Sequence, residues 1–342
     1  MPTVREIANY AGVSVSTVSL VMNDMPGVSE VMRQRVNQAL QMLNEGDEAG
    51  KRRSSQESSS GERDSLSIVV LHPAILRSSQ VFSEFLQGIQ AAALQYRMQL
   101  RLAVNEPDLP GDHISRLYFS DPSLIPDGVL VIGARQETPF PDEISQLNIP
   151  CVLVGRTSPG ARLSAVGPDE DAAAREAARY LIDLGHREIA FAGGDPVYSY
   201  THSRLRAVQD ELRAAGIDAL ERWVSLGEGD QAARKLLASS PEISAVIFIN
   251  DAYAMQGLPV FQAAGRRIPE DLSVVSFDDT EQARQFSPAL TSVAYPRYLE
   301  GFHSIRMIYE QIQNPQIQSC QVTFRTNLVI RDSCVPPKAG KV

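Results

Sequence analysis

Short apolar runs at 66–71, 128–132, 151–154, 189–192, 245–249 and 273–277 recur along the chain, separated by Ala- and Leu-rich stretches of helical period at 81–96, 169–184, 203–215 and 252–264. Apolar runs of strand length with no internal alternation read as strands buried on both faces. A helix between successive strands is the connection that a parallel sheet requires. The chain from residue 66 onward is therefore expected to be α/β, with parallel sheets covered by helices. At 342 residues and 43% apolar side chains it can bury more than one core. No run approaches the roughly 18 apolar residues of a membrane helix, and no repeat of solenoid length is present.

The pattern breaks at NEGDEAGKRRSSQESSSGERDS, which begins at Asn44 and has almost no apolar residue. Such a stretch cannot pack a core, so 45–65 is expected to be a flexible linker between a small unit, 1–44, and a large one, 66–335. In the small unit Val4, Ile7, Ala8 and Ala11 make one apolar helical face, and Gly12 permits a sharp turn. Ser14 can cap a second helix carrying Val15, Val18 and Met22, and Ser29 a third carrying Met32, Val36, Ala39, Leu40 and Leu43. Two helices around a glycine turn, braced by a third, form an all-α helix-turn-helix whose second helix fits the major groove.

The run VREIANYAGVSVSTVSLVMN followed by VSEVMRQRV resembles the DNA-binding domain of the lactose-repressor (LacI/GalR) family of bacterial transcription regulators. By that resemblance Val15, Ser16, Ser19 and Leu20 face base edges, while Thr3, Thr17, Asn23 and Ser29 hold phosphates of double-stranded operator DNA. The family usually has an arginine where this chain has Leu20, and leucine cannot make that arginine's paired bonds to guanine. Arg5, Arg33 and Arg35 balance Glu6, Asp24 and Glu30, so the small unit is neutral, and Lys51-Arg52-Arg53 can supply attraction to phosphate. Relatives also carry a hinge helix in the linker, with a leucine that wedges into the minor groove. Nothing in residues 44–65 supplies it.

Further segments resemble the same family and together span most of 66–334: DLGHREIA from Asp183, Asn250-Asp251, IPEDLSVVSFDD from Ile268, SPALT from Ser287 and LVIRDS from Leu328. The implied architecture is a two-lobed, periplasmic-binding-protein-like core, with lobe 1 at about 66–157 and 295–320 and lobe 2 at about 158–294 and 321–335. Ligands of such folds bind in the cleft at strand ends. Asn250 and Asp278 follow apolar strands, and Arg204 opens a helix after the Gly-Gly-Asp-Pro loop. In the family these positions hydrogen-bond effector hydroxyls, and Arg, Asn and Asp supply the donors and acceptors a polyol needs. Arg156 and Phe82 are weaker candidates from the other lobe, the first equally a hinge-surface charge and the second more often core. Gly155 stands where relatives carry an acid, removing one hydroxyl contact, and Ser276 replaces a usual glycine and narrows the cleft.

Other chemistries find no constellation. Gly46–Gly50 with Lys51 has the wrong spacing for a phosphate loop, and Asp47 and Glu48 would repel phosphate. Gly227-Glu228-Gly229 mimics a dinucleotide fingerprint, but its carboxylates oppose a pyrophosphate, and Gly229 reads as a helix start. The five histidines and three cysteines lack metal-ligand spacing, and no nucleophile elbow occurs, so no catalytic residue, metal or cofactor is expected. The N-terminal residues lack the apolar core of a secretory signal, and a cytoplasmic location is expected.

The resemblance thus implies a homodimeric, effector-responsive regulator, a repressor by preference, with a sugar-like effector. The tail VPPKAGKV has no heptads for a coiled-coil tetramer. The rivals are a periplasmic-type ligand-binding protein and a Rossmann-like enzyme, which tight NAD binding or turnover would support.

Leucine at position 20 offers a base only apolar contact, best to a thymine methyl. Leu20→Arg is therefore expected to shift one base pair of each half-site from A·T toward G·C, a discrimination of about 1–3 kcal/mol, and to leave the others unchanged. Selection from random duplexes at one salt concentration reads this directly. Identical motifs for both proteins would remove residue 20 from the base-facing set.

Overall fold

The computed structural model describes residues 65–73, 80–105, 124–133, 149–155, 163–218 and 221–338, together with Val13, Ser14, Thr17, Val18, Val21, Met32, Arg33 and Val36. The chain divides into two units, Met1–Asp64 and Ser65–Val342. Of the expected DNA contacts, Thr3, Val15, Ser16, Ser19, Leu20, Asn23 and Ser29 lie outside the described residues, as do Arg156 and the linker up to residue 64. In the first unit the Thr17 amide donates to the Ser14 hydroxyl at 3.1 Å and the Val18 amide to the Ser14 carbonyl at 3.2 Å, the geometry of a serine N-cap. Val18, Val21 and Val36 are buried, whereas Met32, expected on the same apolar face as Val36, is exposed.

Among the described residues the second unit holds two six-stranded sheets. The first comprises β1 (Leu66–Pro73), β2 (Met98–Asn105), β3 (Gly128–Ile132), β4 (Cys151–Val154), β5 (Ser164–Pro168) and β11 (Gln321–Phe324), in the order β11-β5-β4-β3-β1-β2 and parallel throughout. The second comprises β6 (Ile189–Ala192), β7 (Val224–Ser225), β8 (Ala245–Phe248), β9 (Ser273–Phe277), β10 (Thr291–Ala294) and β12 (Asn327–Val329), in the order β12-β10-β9-β8-β6-β7. Among the described residues only its edge pair, β10 with β12, is antiparallel. Because side chains alternate along a strand, Ile68 and Val70 enter one apolar cluster and Val69 and Leu71 the other, so the first sheet is dry on both faces.

Helix α1 (Gln80–Gln95) packs on the first sheet. Helices α2 (Glu170–Asp183), α3 (Ser199–Ala214), α4 (Gly229–Ser239), α5 (Asp251–Ala263) and the short α6 (Glu281–Gln285) surround the second, and α7 (Arg297–Gln313) returns to the first. Asp169 caps α2, its carboxylate accepting from the Ala172 amide at 2.9 Å, and Gly185, in the left-handed region at φ 101°, ends it. His186 follows, buried, and bonds Ser244, Ser273 and the Val335 carbonyl at 2.9, 3.0 and 2.9 Å, fastening the C-terminal segment to the second lobe. Among the described residues no helix is long and apolar enough to cross a membrane.

Two strands depart from the lobe boundaries read in the sequence. β5 pairs with β4 (Val152 opposite Ser164) and β11 with β5 (Gln321 opposite Ala165), so both belong to the first lobe rather than the second. The chain accordingly crosses after Pro168, after Ala294 and after Phe324. The lobe boundary implied by the family resemblance lies earlier, near residue 157. The SAVGP strand is too short and too interrupted to stand out from sequence, though all five of its residues are buried.

Helices α1 and α7 meet through glycines. A Cβ on Gly301 would lie 2.3 Å from the Phe85 carbonyl oxygen, and one on Gly88 2.0 Å from that of Tyr298. Backbone cannot rotate aside as a side chain can, so a methyl group there must separate the helices. Gly301→Ala is expected to lower the unfolding free energy by about 1–3 kcal/mol or more, seen as a lower urea midpoint at unchanged slope. An unchanged midpoint would show that the helices do not approach this closely.

Candidate functional site

Arg204 lies in the second turn of α3, not at its start as the sequence suggested, because the helix begins at Ser199. Its side chain is 4% exposed. Nε and Nη2 donate to the two oxygens of Glu170, the first residue of α2, at 2.7 and 3.0 Å, while Nη1 donates to the Ile249 carbonyl at 2.5 Å. The guanidinium also lies 4.5 Å from the ring centre of Phe277, 5.2 Å from that of Tyr200 and 5.3 Å from that of Tyr295. Burial disfavours its charge, but the Glu170 carboxylate outweighs burial, and the arginine holds its proton more firmly than usual. Tyr295 donates its hydroxyl to the same carboxylate at 3.0 Å.

Asp278 follows β9 with φ 98°, a left-handed conformation unusual for aspartate. Its Oδ1 accepts from Arg297 Nη2 at 2.8 Å. Arg297 begins α7, which packs in the first lobe, so this buried ion pair ties one lobe to the other. Arg297 also stacks over Tyr295 at 4.2 Å and Phe85 at 5.1 Å. The next acid on its helix, Glu300, is wholly buried 3.8 Å away, and neither of its carboxylate oxygens has a hydrogen-bond partner. Burial pushes that carboxyl up to about 7.

Asn250 caps α5, its side-chain oxygen accepting from the Tyr253 amide at 3.1 Å, which leaves the amide nitrogen as the donor it can offer. The preceding residue, Ile249, supplies the carbonyl that receives Arg204. Asp251 is turned inward. It accepts from Ser276, from Ser292 at 2.8 Å and from the amide and hydroxyl of Thr280 at 2.7 and 2.9 Å. Burial first, then the charge of Asp278, push it up to about 6. Ser276 is thus a buried partner of Asp251 and does not narrow the cleft. Phe82 is buried in the first lobe's core, its ring 4.4 Å from that of His72.

A concavity of about 950 Å³ opens where the chain crosses between lobes, lined among the described residues by Gly155, Glu170, Tyr200, Arg206 and Thr323 with their neighbours. It shares Glu170 and Tyr200 with the buried cluster, whereas Arg204, Asn250 and Asp278 are not among the residues that line it. Asp278 is close enough to Arg204 to help hold the guanidinium's proton, and Asn250 adjoins Arg204 through Ile249. Sequence reasoning missed Glu170, Tyr295, Arg297 and Glu300. Glu170 reads as an ordinary first-turn acid of a helix, and the spacing along the chain does not show that α7 returns beside β9.

A carboxyl held up to about 7 favours folding fully below its unfolded pKa of 4.5, and that contribution is lost as pH rises toward 7. Glu300→Gln removes the titration. The variant should gain stability relative to the wild type between pH 4.5 and 7, at about 1.4 kcal/mol per pH unit at most, with a constant difference above that range. Urea unfolding across pH measures the difference, and a pH-independent one would mean that Glu300 is not protonated in the folded protein.

Residues 3–44 match the bacterial regulatory proteins of the lacI family, and residues 178–334 match the periplasmic binding protein-like domain. The HTH-type transcriptional regulator CelR of Thermobifida fusca is 29% identical over 340 residues, covering 97% of this chain and 98% of its own. The HTH-type transcriptional repressor CytR of Escherichia coli (strain K12) is 28% identical over 340 residues, covering 97% and 96%. Among solved structures, a CelR–cellobiose complex superposes with a TM-score of 0.73 at 28% identity, covering 97% of this chain and all of that one. The lac repressor dimer bound to operator and the anti-inducer ONPF has the same fold, with a TM-score of 0.71 at 22% identity over 98% and 99% of the two chains. With a lacI-type DNA-binding domain followed by a periplasmic-binding-protein-like domain, the chain is a transcriptional regulator that belongs to the LacI family.

Proposed function

We propose that this regulator is a cytoplasmic, homodimeric repressor without enzymatic activity, which reads a pseudo-palindromic operator through residues 1–44 and takes a sugar-like effector between the lobes of its core. The observation that carries the reading is the convergence of Arg204, Asp278 and the Asn250 segment, with Tyr200, Phe277 and Tyr295, beside a concavity at the crossings between lobes. Polar groups fixed by a rigid scaffold and interleaved with ring faces suit a polyol, whose hydroxyls donate and accept while its C–H faces stack. Arg297 joins the proposed set, because it connects Asp278 to the other lobe. An effector that competes for Asp278 thereby acts on lobe closure, which is how a small molecule can bias a two-state core.

CelR, the relative solved with cellobiose, and the lac repressor, solved as a dimer on operator, support the same reading. On DNA, Thr3, Thr17, Asn23 and Ser29 are assigned to phosphates and Val15, Ser16, Ser19 and Leu20 to bases. Arg156 and Phe82 remain secondary effector candidates, and the buried packing of Phe82 assigns it to the core first.

Thermal-shift measurement with cellobiose, ribose and nucleosides tests the effector class, since a ligand at 100 times Kd adds about 2.7 kcal/mol. Asn250→Asp separates two roles of one residue. Aspartate caps a helix as well as asparagine but has no amide donor, so stability should hold within about 0.5 kcal/mol while affinity for the stabilising sugar falls about tenfold. Calorimetry showing unchanged affinity would take Asn250 out of the effector site.

A further inference from the structure

We propose that the site is neutralised from within and admits an uncharged polyhydroxyl ligand while rejecting its phosphorylated or carboxylated counterpart, with Glu170 as the residue that sets this specificity. The inference deepens the effector reading and rests on it.

An anion site needs cationic donors that are free to turn to the ligand. Here each described cation around the concavity has its own carboxylate. Arg204 is held bidentately by Glu170, Arg297 by Asp278 at 2.8 Å, and Arg206, on the lining, by Asp171 at 2.9 Å. The lining carries Asp169, Glu170 and Asp171 against Arg206, so the wall itself is acidic. Glu170 belongs to that wall and Arg204 does not, which puts the carboxylate between the guanidinium and the open space. An entering phosphate would meet Glu170 before Arg204, and would find Arg206 already paired with Asp171. It would have to break a bidentate pair to gain Arg204, leaving a carboxylate unpaired.

The rest of the lining is suited to hydroxyls. Ser199, Ser203, Gln209 and Thr323 offer neutral donors and acceptors, and Tyr200 offers a ring face. Glu170 and Asp171 can accept from a ligand hydroxyl without giving up their arginines, since a carboxylate has room for about four hydrogen bonds.

The test has two arms on the full chain. In the first, inorganic phosphate is titrated by calorimetry, at ionic strength matched with chloride, into the wild type, Glu170→Gln and Asp171→Asn. The wild type should bind no phosphate in the millimolar range, and releasing Arg204 or Arg206 should tighten phosphate binding by about tenfold or more. Asp171 is on the surface, so Asp171→Asn keeps the test open should Glu170→Gln not fold. Phosphate binding the wild type as tightly as the variants, or binding none of the proteins, overturns the proposal. In the second arm cellobiose is compared with cellobionate on the wild type. Tighter binding of the acid overturns the charge filter. Binding of neither rejects cellobiose as the effector, and the first arm still decides the charge question.

Discussion

A guanidinium withdrawn from water is tolerated only where a carboxylate meets it in good geometry and the remaining N–H groups find acceptors. The pairing of Arg204 with Glu170 meets that requirement and, in doing so, joins α3, the first turn of α2, the end of β8 and Tyr295 at the second crossing. Each of those elements is placed by its own apolar face, and this buried pair ties them to one another beside the cleft. Removing either partner would strand a buried charge, whereas removing both would cost far less, so the pair contributes specificity of arrangement more than net stability.

The loop that presents Asp278 is held in a similar way. Asp278 and its neighbour Asp279 both have positive φ, which aspartate adopts only when its surroundings compel it. Asp279 is gripped by Arg331 at 2.5 Å and Arg284 at 2.9 Å, its amide donates to Ser292 at 3.0 Å, and Thr280 is held by Asp251. The polar ring behind the loop keeps the backbone in place, so Asp278 can engage Arg297 without the loop relaxing.

Much of the architecture was legible because strands buried on both faces write themselves as uninterrupted apolar runs. β1, β3, β4, β6, β8 and β9 are all found where such runs occur, and the Asp169 and Asn250 segments behave as helix caps. β5 and β2 were not recognised. One is broken by glycine and proline, and the other lies at a sheet edge with Gln99 and Leu102 exposed, so neither carries the doubly buried signature. The candidate site was legible only in part. The residue types at 204, 250 and 278 announce hydrogen-bonding chemistry, but whether an arginine is available or already paired depends on Glu170, 34 positions away in sequence. Likewise Ser276 could be assigned to the cleft or to the core only once Asp251 was seen to face inward.

The order in which the two lobes are assembled along the chain bears on how the protein is made. Most of the second lobe is continuous, from α2 through β10, with the edge strand β12 and the segment from Arg331 to Val335 arriving late. The first lobe begins at β1 yet is completed by α7, whose backbone lies against α1 at Gly88 and Gly301, and by β11 at the sheet's edge. During synthesis, therefore, the first sheet is exposed on the surface that α7 will cover until residues 297–324 have left the ribosome, while most of the second lobe is already made. The lobe whose strands emerge first waits for a helix that begins at Arg297, long after its third strand ends at Ile132, and its apolar face is where a chaperone would find its foothold.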